Sequence, residues 1–328
     1  MTTGSTPTAP TAGANSSSTK SEIPSELSPF GKDAQSLQYS IGHYPQTVLR
    51  WVGDKGAMAR SQVLLCQQGP TCDAIIFVHG FGGAGTATWE IFPQIVGTIA
   101  EASKADAFFI DYPSKTHSVA FCAALIRTFL FDLVRDPVYR IIQPSLPANA
   151  PNRARDERYR RVIIVAHSMG AVITRRAVMD FERLSAITFS DDELSKFCLL
   201  FFAPAHCGSD IPLLIASGFG LDGVKPLGLA ARKFYPSLRD LEEGSPALIK
   251  LAEDCRRLRE ERTQRGLSTY HLCATVYHAQ NDRVVSQNDF DHDPPFEPVM
   301  GKNHRSICKP KSLLYVDPVE ALRAVLSP

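Results

Sequence analysis

The sequence predicts an α/β fold, a doubly wound, mostly parallel sheet with a small cap-like insertion. Two observations carry that expectation. Compact apolar runs at 74–78, 107–110, 161–166, 197–203 and 271–277 alternate with stretches of helical length, the pattern of strands and crossover helices. The runs are apolar at consecutive rather than alternate positions, as strands covered on both faces are. A hydrophobic fraction of 44% in 328 residues is enough for the core this fold needs.

Taken in order, residues 1–22 contain no Ile, Leu, Val, Phe, Trp or Tyr, so nothing offsets the entropy of ordering them. Residues 1–35 therefore read as a disordered Ser/Thr/Pro-rich tail, and 36–328 as the folded domain. The tail lacks the apolar segment of a secretory signal, and Lys20 is its single basic residue up to that point. Stretches 47–52 and 59–66 read as short strands around the turn-like Gly53-Asp54-Lys55-Gly56. A helix is expected at 89–102, a strongly apolar one at 121–134, a Pro/Asn/Arg loop at 143–157 and a helix from the end of the third run to about 183. Residues 208–268 break the alternation. They read as a Gly/Leu-rich loop followed by a charged helix at 248–262, part of it forming the cap-like insertion. A weak sixth strand at 298–300 and a closing helix at 318–326 complete the chain.

Charge and composition exclude several classes. Lys and Arg total 35 against 34 Asp and Glu, so no basic surplus favours nucleic acid. The longest apolar stretch, 119–134, is interrupted by Arg127 and Asp132 and falls short of the roughly 18–20 residues of a membrane span. Its apolar surround suits burial against the sheet better than peripheral contact with a bilayer. Arg153, Arg155, Arg158, Arg160 and Arg161 are interrupted by Asp156 and Glu157, and read as a solvated loop rather than a phosphate site. Eight cysteines without a Cys-x-x-Cys pair suit reduced thiols in a cytoplasmic protein better than a disulfide framework. No metal-ligand spacing is present, and neither a metal nor a cofactor is expected.

The sharpest feature is Ala166-His167-Ser168-Met169-Gly170, between a buried run and a helix. A serine on such a strand-to-helix turn, flanked by small residues, presents its hydroxyl above the sheet as a nucleophile. The N–H of Met169, at the helix N-terminus, is placed to stabilise an oxyanion. A serine that only caps the helix is the alternative. His79-Gly80-Phe81-Gly82-Gly83 follows an earlier strand, where the Phe81 N–H is the candidate second oxyanion donor. A plain Gly-rich turn is the alternative there, and His79 is expected to hydrogen-bond within the loop. The acid and the base should follow the serine in that order. Asp282, just past the fifth run, is the candidate acid. Asp289, Asp291 and Asp293 compete with it from a polar loop where they look like solvated turn residues. Of the histidines after Asp282, His292 sits in that same loop, and His304, between the last strand and the closing helix, is the candidate base.

These motifs resemble the α/β-hydrolase superfamily, and within it the lipase-like serine esterases that include GPI-inositol deacylases and serine active-site-containing proteins. The resemblance rests on HGFGG (79–83), Trp89, DYPS (111–114), AHSMG (166–170), PAHCGS (204–209), NDRVV (281–285) and NHRSICKP (303–310), in the family's order. It implies a Ser168 nucleophile, an Asp282 acid, a His304 base, and an oxyanion hole from Phe81 and Met169. Ala166 departs from the usual glycine. PAHCGS departs from a Thr-Pro-His-x-Gly-Ser pattern, which leaves His206 with a structural role. The expected reaction is hydrolysis of a carboxylic ester with an apolar acyl group, the partner being a small-molecule or lipid ester. Acyl transfer to an alcohol, or a non-catalytic binding module on the same fold, are the other readings.

Overall fold

The computed structural model describes residues 1, 47–48, 61–66, 73–137, 157–185, 190–219, 234–311 and 315–327. The expected tail, the 53–56 turn, most of the 143–157 loop with Arg153 and Arg155, and part of the 208–268 insertion lie outside them. Eight strands form one sheet: β1 (Thr47–Val48), β2 (Gln62–Leu64), β3 (Asp73–Val78), β4 (Ala105–Ile110), β5 (Arg161–His167), β6 (Phe197–Phe202), β7 (Ala274–Ala279) and β8 (Glu297–Val299), in the order β1-β2-β4-β3-β5-β6-β7-β8. β1 and β2 join antiparallel, and every pairing from β4 to β8 is parallel. The carboxyl ends of β3, β5, β6 and β7 therefore open on one edge of the sheet, where ligands of open α/β sheets bind.

The helices are α1 (Phe92–Ile95), α2 (Val119–Arg135), α3 (Met169–Ser185), α4 (Asp191–Leu194), α5 (Ile211–Phe219), α6 (Pro236–Asp240), α7 (Pro246–Gln264) and α8 (Asp317–Leu326). α2 packs along α3, and α7 also packs on α3. The other face is covered by residues 86–102 and α8. Strand alternation matches this split. Phe77 and Phe109, paired across β3 and β4, stack at 4.5 Å, and Phe77 packs against Trp89 and Phe92. Phe108 points the other way, onto Phe129 of α2. All six rings are fully buried, each contributing roughly 1.5–3 kcal/mol of hydrophobic stabilisation.

The apolar helix at 119–135 buries Cys122, Ala123, Ile126, Phe129, Leu130 and Leu133, a stripe of helical period, in the core. Ser118 caps it by accepting from the Phe121 N–H at 3.2 Å. α7 is tied to α3 by Arg176–Asp254 at 3.0 Å and by Arg262–Glu182 at 2.6 Å. Arg158 donates to the carbonyls that end α2, and Arg161 clasps Asp73 at 2.8 Å, so these two members of the arginine cluster are structural. The seven described cysteines form no disulfide with one another. Among the described residues no helix is long and apolar enough to cross a membrane.

Three elements differ from expectation. Residues 89–102 are not one helix. They form 3-10 turns at Thr86–Trp89, Val96–Thr98 and Ala100–Ala102 around the four-residue α1. Pro93 and Gly97 interrupt this stretch, and its β-branched residues pack better in an irregular layer than in a helix. The fifth buried run begins at Ala274, not at 271, because Tyr270–Leu272 turns as a 3-10 helix that buries His271. The stretch read as a Gly/Leu-rich loop contains α5, whose Ile211 and Leu214 are buried.

Candidate active site

The strand β5 ends in a strained turn. Ser168 has φ 55°, in the left-handed region that non-glycine residues avoid. Its conformation is over-determined. The Ser168 N–H donates to the Phe202 carbonyl at 3.0 Å, and its carbonyl accepts from Ala171 at 3.1 Å and Ala205 at 3.3 Å. Gly170 permits the turn, since a Cβ there would stand 2.4 Å from the carbonyl oxygens of both Val78 and His79. Ala166 fits in β5 between Val78 and Phe201. Position 170 therefore requires glycine, whereas 166 accommodates alanine.

Sheet order carries three distant residues to this turn. His304 Nε2 lies 2.9 Å from Ser168 Oγ, and His304 Nδ1 lies 2.9 Å from Asp282 Oδ2. All three residues are buried. Asp282 Oδ1 accepts the N–H groups of Val284 at 2.8 Å and Val285 at 3.3 Å. Burial pushes the Asp282 carboxyl pKa up. The hydrogen bond and charge of His304, with those two N–H groups, outweigh it and hold the pKa below the ordinary value. An ionised Asp282 can only accept, so Nδ1–H of His304 donates to it and the Nε2 lone pair faces the serine hydroxyl.

The competitors lie elsewhere. His292 is exposed, 3.5 Å from Asp291. Asp293, expected as a solvated turn residue, instead has its side chain buried. Its carboxylate is 2% exposed, pairs with Arg175 and accepts the Ala274 N–H at 2.9 Å, because the chain after β7 folds back under α3. Arg175 also lies over the Phe290 ring at 4.2 Å. His206 is buried against Phe290, and burial, with Arg175 and His278 nearby, holds its pKa well below the ordinary value. The PAHCGS stretch that carries it crosses from β6 to the segment before α7. Gly208 takes φ 109° against Glu243, and Ser209 bonds to the Leu241 carbonyl.

The Gly-rich loop after β3 stands beside Ser168. Phe81 is buried at the site, and Met169 is the first residue of α3, where an N–H has no acceptor within the helix. His79 Nδ1 lies 2.8 Å from the Gly80 carbonyl, within the loop as expected. Side chains distant in sequence brace this loop. Tyr112 donates to the His79 carbonyl, Ser114 Oγ accepts from Gly82 at 3.2 Å, and Asp111 Oδ1 accepts from Gly85 at 3.2 Å. The DYPS stretch is thus the scaffold of HGFGG. One missed residue is His167, whose Nε2 lies 2.7 Å from the His304 carbonyl. Burial, then the nearby His304, push its pKa down to about 3, so the ring is neutral and Nε2–H is the donor. Its position next to the serine was the available signal.

A cavity of about 210 Å³ opens on this group, lined by Gly80–Ala84, Ala87, Thr88, His167, Ser168, Leu214, Ser217, Gly218, His304, Arg305 and Lys309. A larger hollow of about 630 Å³, beside α7, contains neither a serine nor the His304 ring. Among the described residues no group of three or more His, Cys, Asp or Glu is arranged to hold a metal ion. The arrangement at Ser168 can pass a proton from hydroxyl to imidazole while an ionised carboxylate holds the ring.

No curated protein is matched by the sequence. In chain path the protein is similar to the mature lipase BlEst2 of Bacillus licheniformis, with 15% identity over 79% of this chain and 94% of that one and a TM-score of 0.44. It is likewise similar to a soluble variant of the monoglyceride lipase of Saccharomyces cerevisiae, with 11% identity over 85% and 95% and a TM-score of 0.48. Phospholipase PlaB of Legionella pneumophila gives 20% identity over 67% of this chain and 44% of that one, with a TM-score of 0.41. Likeness at these values says nothing of substrate. Residues 75–328 match the family described as Alpha/beta hydrolase family, a match that runs from β3 through the closing helix; the chain belongs to that family.

Proposed function

We propose that the protein is a serine hydrolase that cleaves a carboxylic ester through an acyl-enzyme, with Ser168 as nucleophile, His304 as base and Asp282 as its orienting carboxylate. The observation that carries the reading is the unbroken chain Ser168 Oγ–His304 Nε2 and His304 Nδ1–Asp282 Oδ2, each link 2.9 Å, at a cavity. His304 takes the hydroxyl proton as Ser168 attacks the ester carbon, and the N–H groups of Phe81 and Met169 receive the oxyanion. Collapse of the tetrahedral intermediate expels the alcohol, which takes the proton from His304. Water, activated by the same imidazole, then releases the acid.

The acyl group belongs against the apolar members of the lining, Phe81, Ala84, Ala87 and Leu214. α5 supplies Leu214, Ser217 and Gly218 and is the part of the cap-like insertion we assign to the pocket; α7 lies against α3. The test is labelling with an alkyl fluorophosphonate, followed by peptide mapping. Labelling confined to Ser168 and lost in Ser168→Ala is expected. Labelling that survives that substitution would sink the assignment, as would wild-type turnover of p-nitrophenyl esters by His304→Ala.

A further inference from the structure

The Phe81 N–H, the candidate oxyanion donor, and the Gly80 carbonyl are the two ends of one planar trans peptide unit. They point in opposite directions, so whatever holds the carbonyl also aims the N–H. Two donors hold it. The Gly83 N–H reaches the Gly80 oxygen at 3.1 Å, and His79 Nδ1 lies 2.8 Å from it. A carbonyl oxygen only accepts, so Nδ1 carries a proton and donates. The unit also stands against the candidate nucleophile. A Cβ on Gly80 would lie 2.9 Å from Ser168 Cβ, and Gly80, Phe81 and Ser168 line the same cavity.

Such a unit needs an outside brace, because glycine at 80 leaves its rotation unrestrained by a side chain on the N-terminal side. The His79 ring, by contrast, is fixed. It is fully buried and stacks on Tyr112 at 4.2 Å with the planes 7° apart, and the His79 carbonyl accepts from the Tyr112 hydroxyl. Its Nε2 has no hydrogen-bond partner and lies 3.6 Å from Asp111 Oδ1, too far for a hydrogen bond. A buried nitrogen left without a hydrogen bond costs the fold, and the Gly80 oxygen would keep the Gly83 N–H without His79. Stability alone therefore gives no reason for a histidine here. The aim of the peptide does, and two donors on one carbonyl also polarise the N–H at the far end of the unit.

We propose that His79 is a positioning residue of the oxyanion hole: through the Gly80 carbonyl it fixes the rotation of the Gly80–Phe81 peptide and so directs the Phe81 N–H at the Ser168 adduct. This rests on the serine-esterase reading of the same site. His79 does not line the cavity and acts through that peptide alone.

The test uses two substitutions. His79→Phe keeps an aromatic ring beside Tyr112 and removes the donor, whereas His79→Asn puts an amide N–H in the place of Nδ1–H. On a p-nitrophenyl ester, His79→Phe lowers kcat about 10- to 100-fold with KM nearly unchanged. That is short of the loss of about 10²–10³ on deleting an oxyanion donor, because the N–H is misdirected rather than absent. His79→Asn recovers most of the loss. Affinity for an alkyl trifluoromethyl ketone, which Ser168 binds as a tetrahedral oxyanion, falls by the same factor as kcat/KM, while the melting temperature changes little. Wild-type kcat in His79→Phe, an unchanged affinity for the ketone, or a loss that follows the melting temperature and is not recovered by His79→Asn overturns the proposal. The ¹³C resonance of the Gly80 carbonyl in Ser168→Ala protein separates this from failure of the esterase reading, since it needs no turnover. It moves upfield when His79→Phe is added and returns with His79→Asn. An unmoved resonance overturns the positioning role whatever the fate of Ser168. A moved resonance in a protein whose wild type cleaves no ester overturns the esterase reading and leaves the brace on the peptide standing.

Discussion

The ring of His167 donates from Nε2 to the backbone carbonyl of His304 at 2.7 Å, joining the residue before the candidate nucleophile to the backbone of the candidate base. The two imidazoles lie 4.9 Å apart between centroids. With its pKa near 3, His167 remains a neutral donor throughout the neutral range. It is a positioning residue, acting through His304. His167→Phe removes the donor while keeping an aromatic ring. We expect kcat to fall about 10- to 100-fold with KM nearly unchanged, since a displacement of about 1 Å costs on that order. His167→Asn, which keeps an N–H donor, restores part of the loss. A lower melting temperature with kcat intact would leave His167 a packing residue.

Asp282 accepts the Nδ1–H of His304 and two backbone N–H groups, from Val284 and Val285. Asp282→Asn preserves the shape of the site but cannot enforce the same tautomer. Turnover is expected to drop by about 10⁴ with fold and melting temperature retained, and steady-state kinetics on a p-nitrophenyl ester measures it.

Gly82 and Gly218 bring the Gly-rich loop against α5. A Cβ on Gly82 would stand 2.5 Å from the Gly218 carbonyl oxygen, at φ 72°, and a Cβ on Gly218 would meet Phe81 at 2.8 Å. The two approaches show how closely Phe81–Gly82 and Gly218 pack. Gly218→Ala is expected to cost about 1–3 kcal/mol of stability by overpacking and to lower kcat by moving the loop. Denaturant unfolding and turnover on the same preparation read the two effects.

Three buried histidines make the fold sensitive to acid. Burial, with His304 nearby, holds His167 at about 3; burial, opposed in part by Asp282, holds His278 at about 4; His206 lies well below its ordinary value. A folded pKa below the unfolded one means that the unfolded chain binds more protons. The stability these rings contribute is complete above the unfolded value of about 6.5 and is lost as pH falls toward the folded values. Each contributes up to about 1.4 kcal/mol per pH unit in that window. Unfolding in urea at pH 7, 6 and 5 should show a steep decline. His278→Phe, at a ring with neither nitrogen hydrogen-bonded, should flatten it by the share of one histidine.

Arg175 is 1% exposed and pairs with Asp293, which also lies 3.7 Å from Arg259. Arg175→Met leaves a buried carboxylate short of its main partner. The expected loss is about 3 kcal/mol, near the low end for a broken buried pair because Arg259 and the Ala274 N–H remain. Equilibrium unfolding checks it.

The layout of the fold and the candidate residues for chemistry are legible in local sequence. Consecutive apolar residues declare a strand buried on both faces wherever it ends up, and the small residues around Ser168 declare a turn too tight for side chains. These are local requirements, and local sequence meets them. The same holds for the order in which Ser168, Asp282 and His304 occur. The place of Asp282 just past the fifth run singled it out among four aspartates, whereas only tertiary structure decided that Asp293 leaves its polar loop to pair with Arg175. Tertiary structure also decided that residues 86–102 are broken turns, that α5 is a helix, and that His167, DYPS, Arg305 and Lys309 surround the site. Ser168 and His304 are 136 positions apart and meet because parallel strands in the order β3-β5-β6-β7-β8 bring their carboxyl ends to one edge. That meeting is a property of strand order, and strand order is set by how the whole core packs.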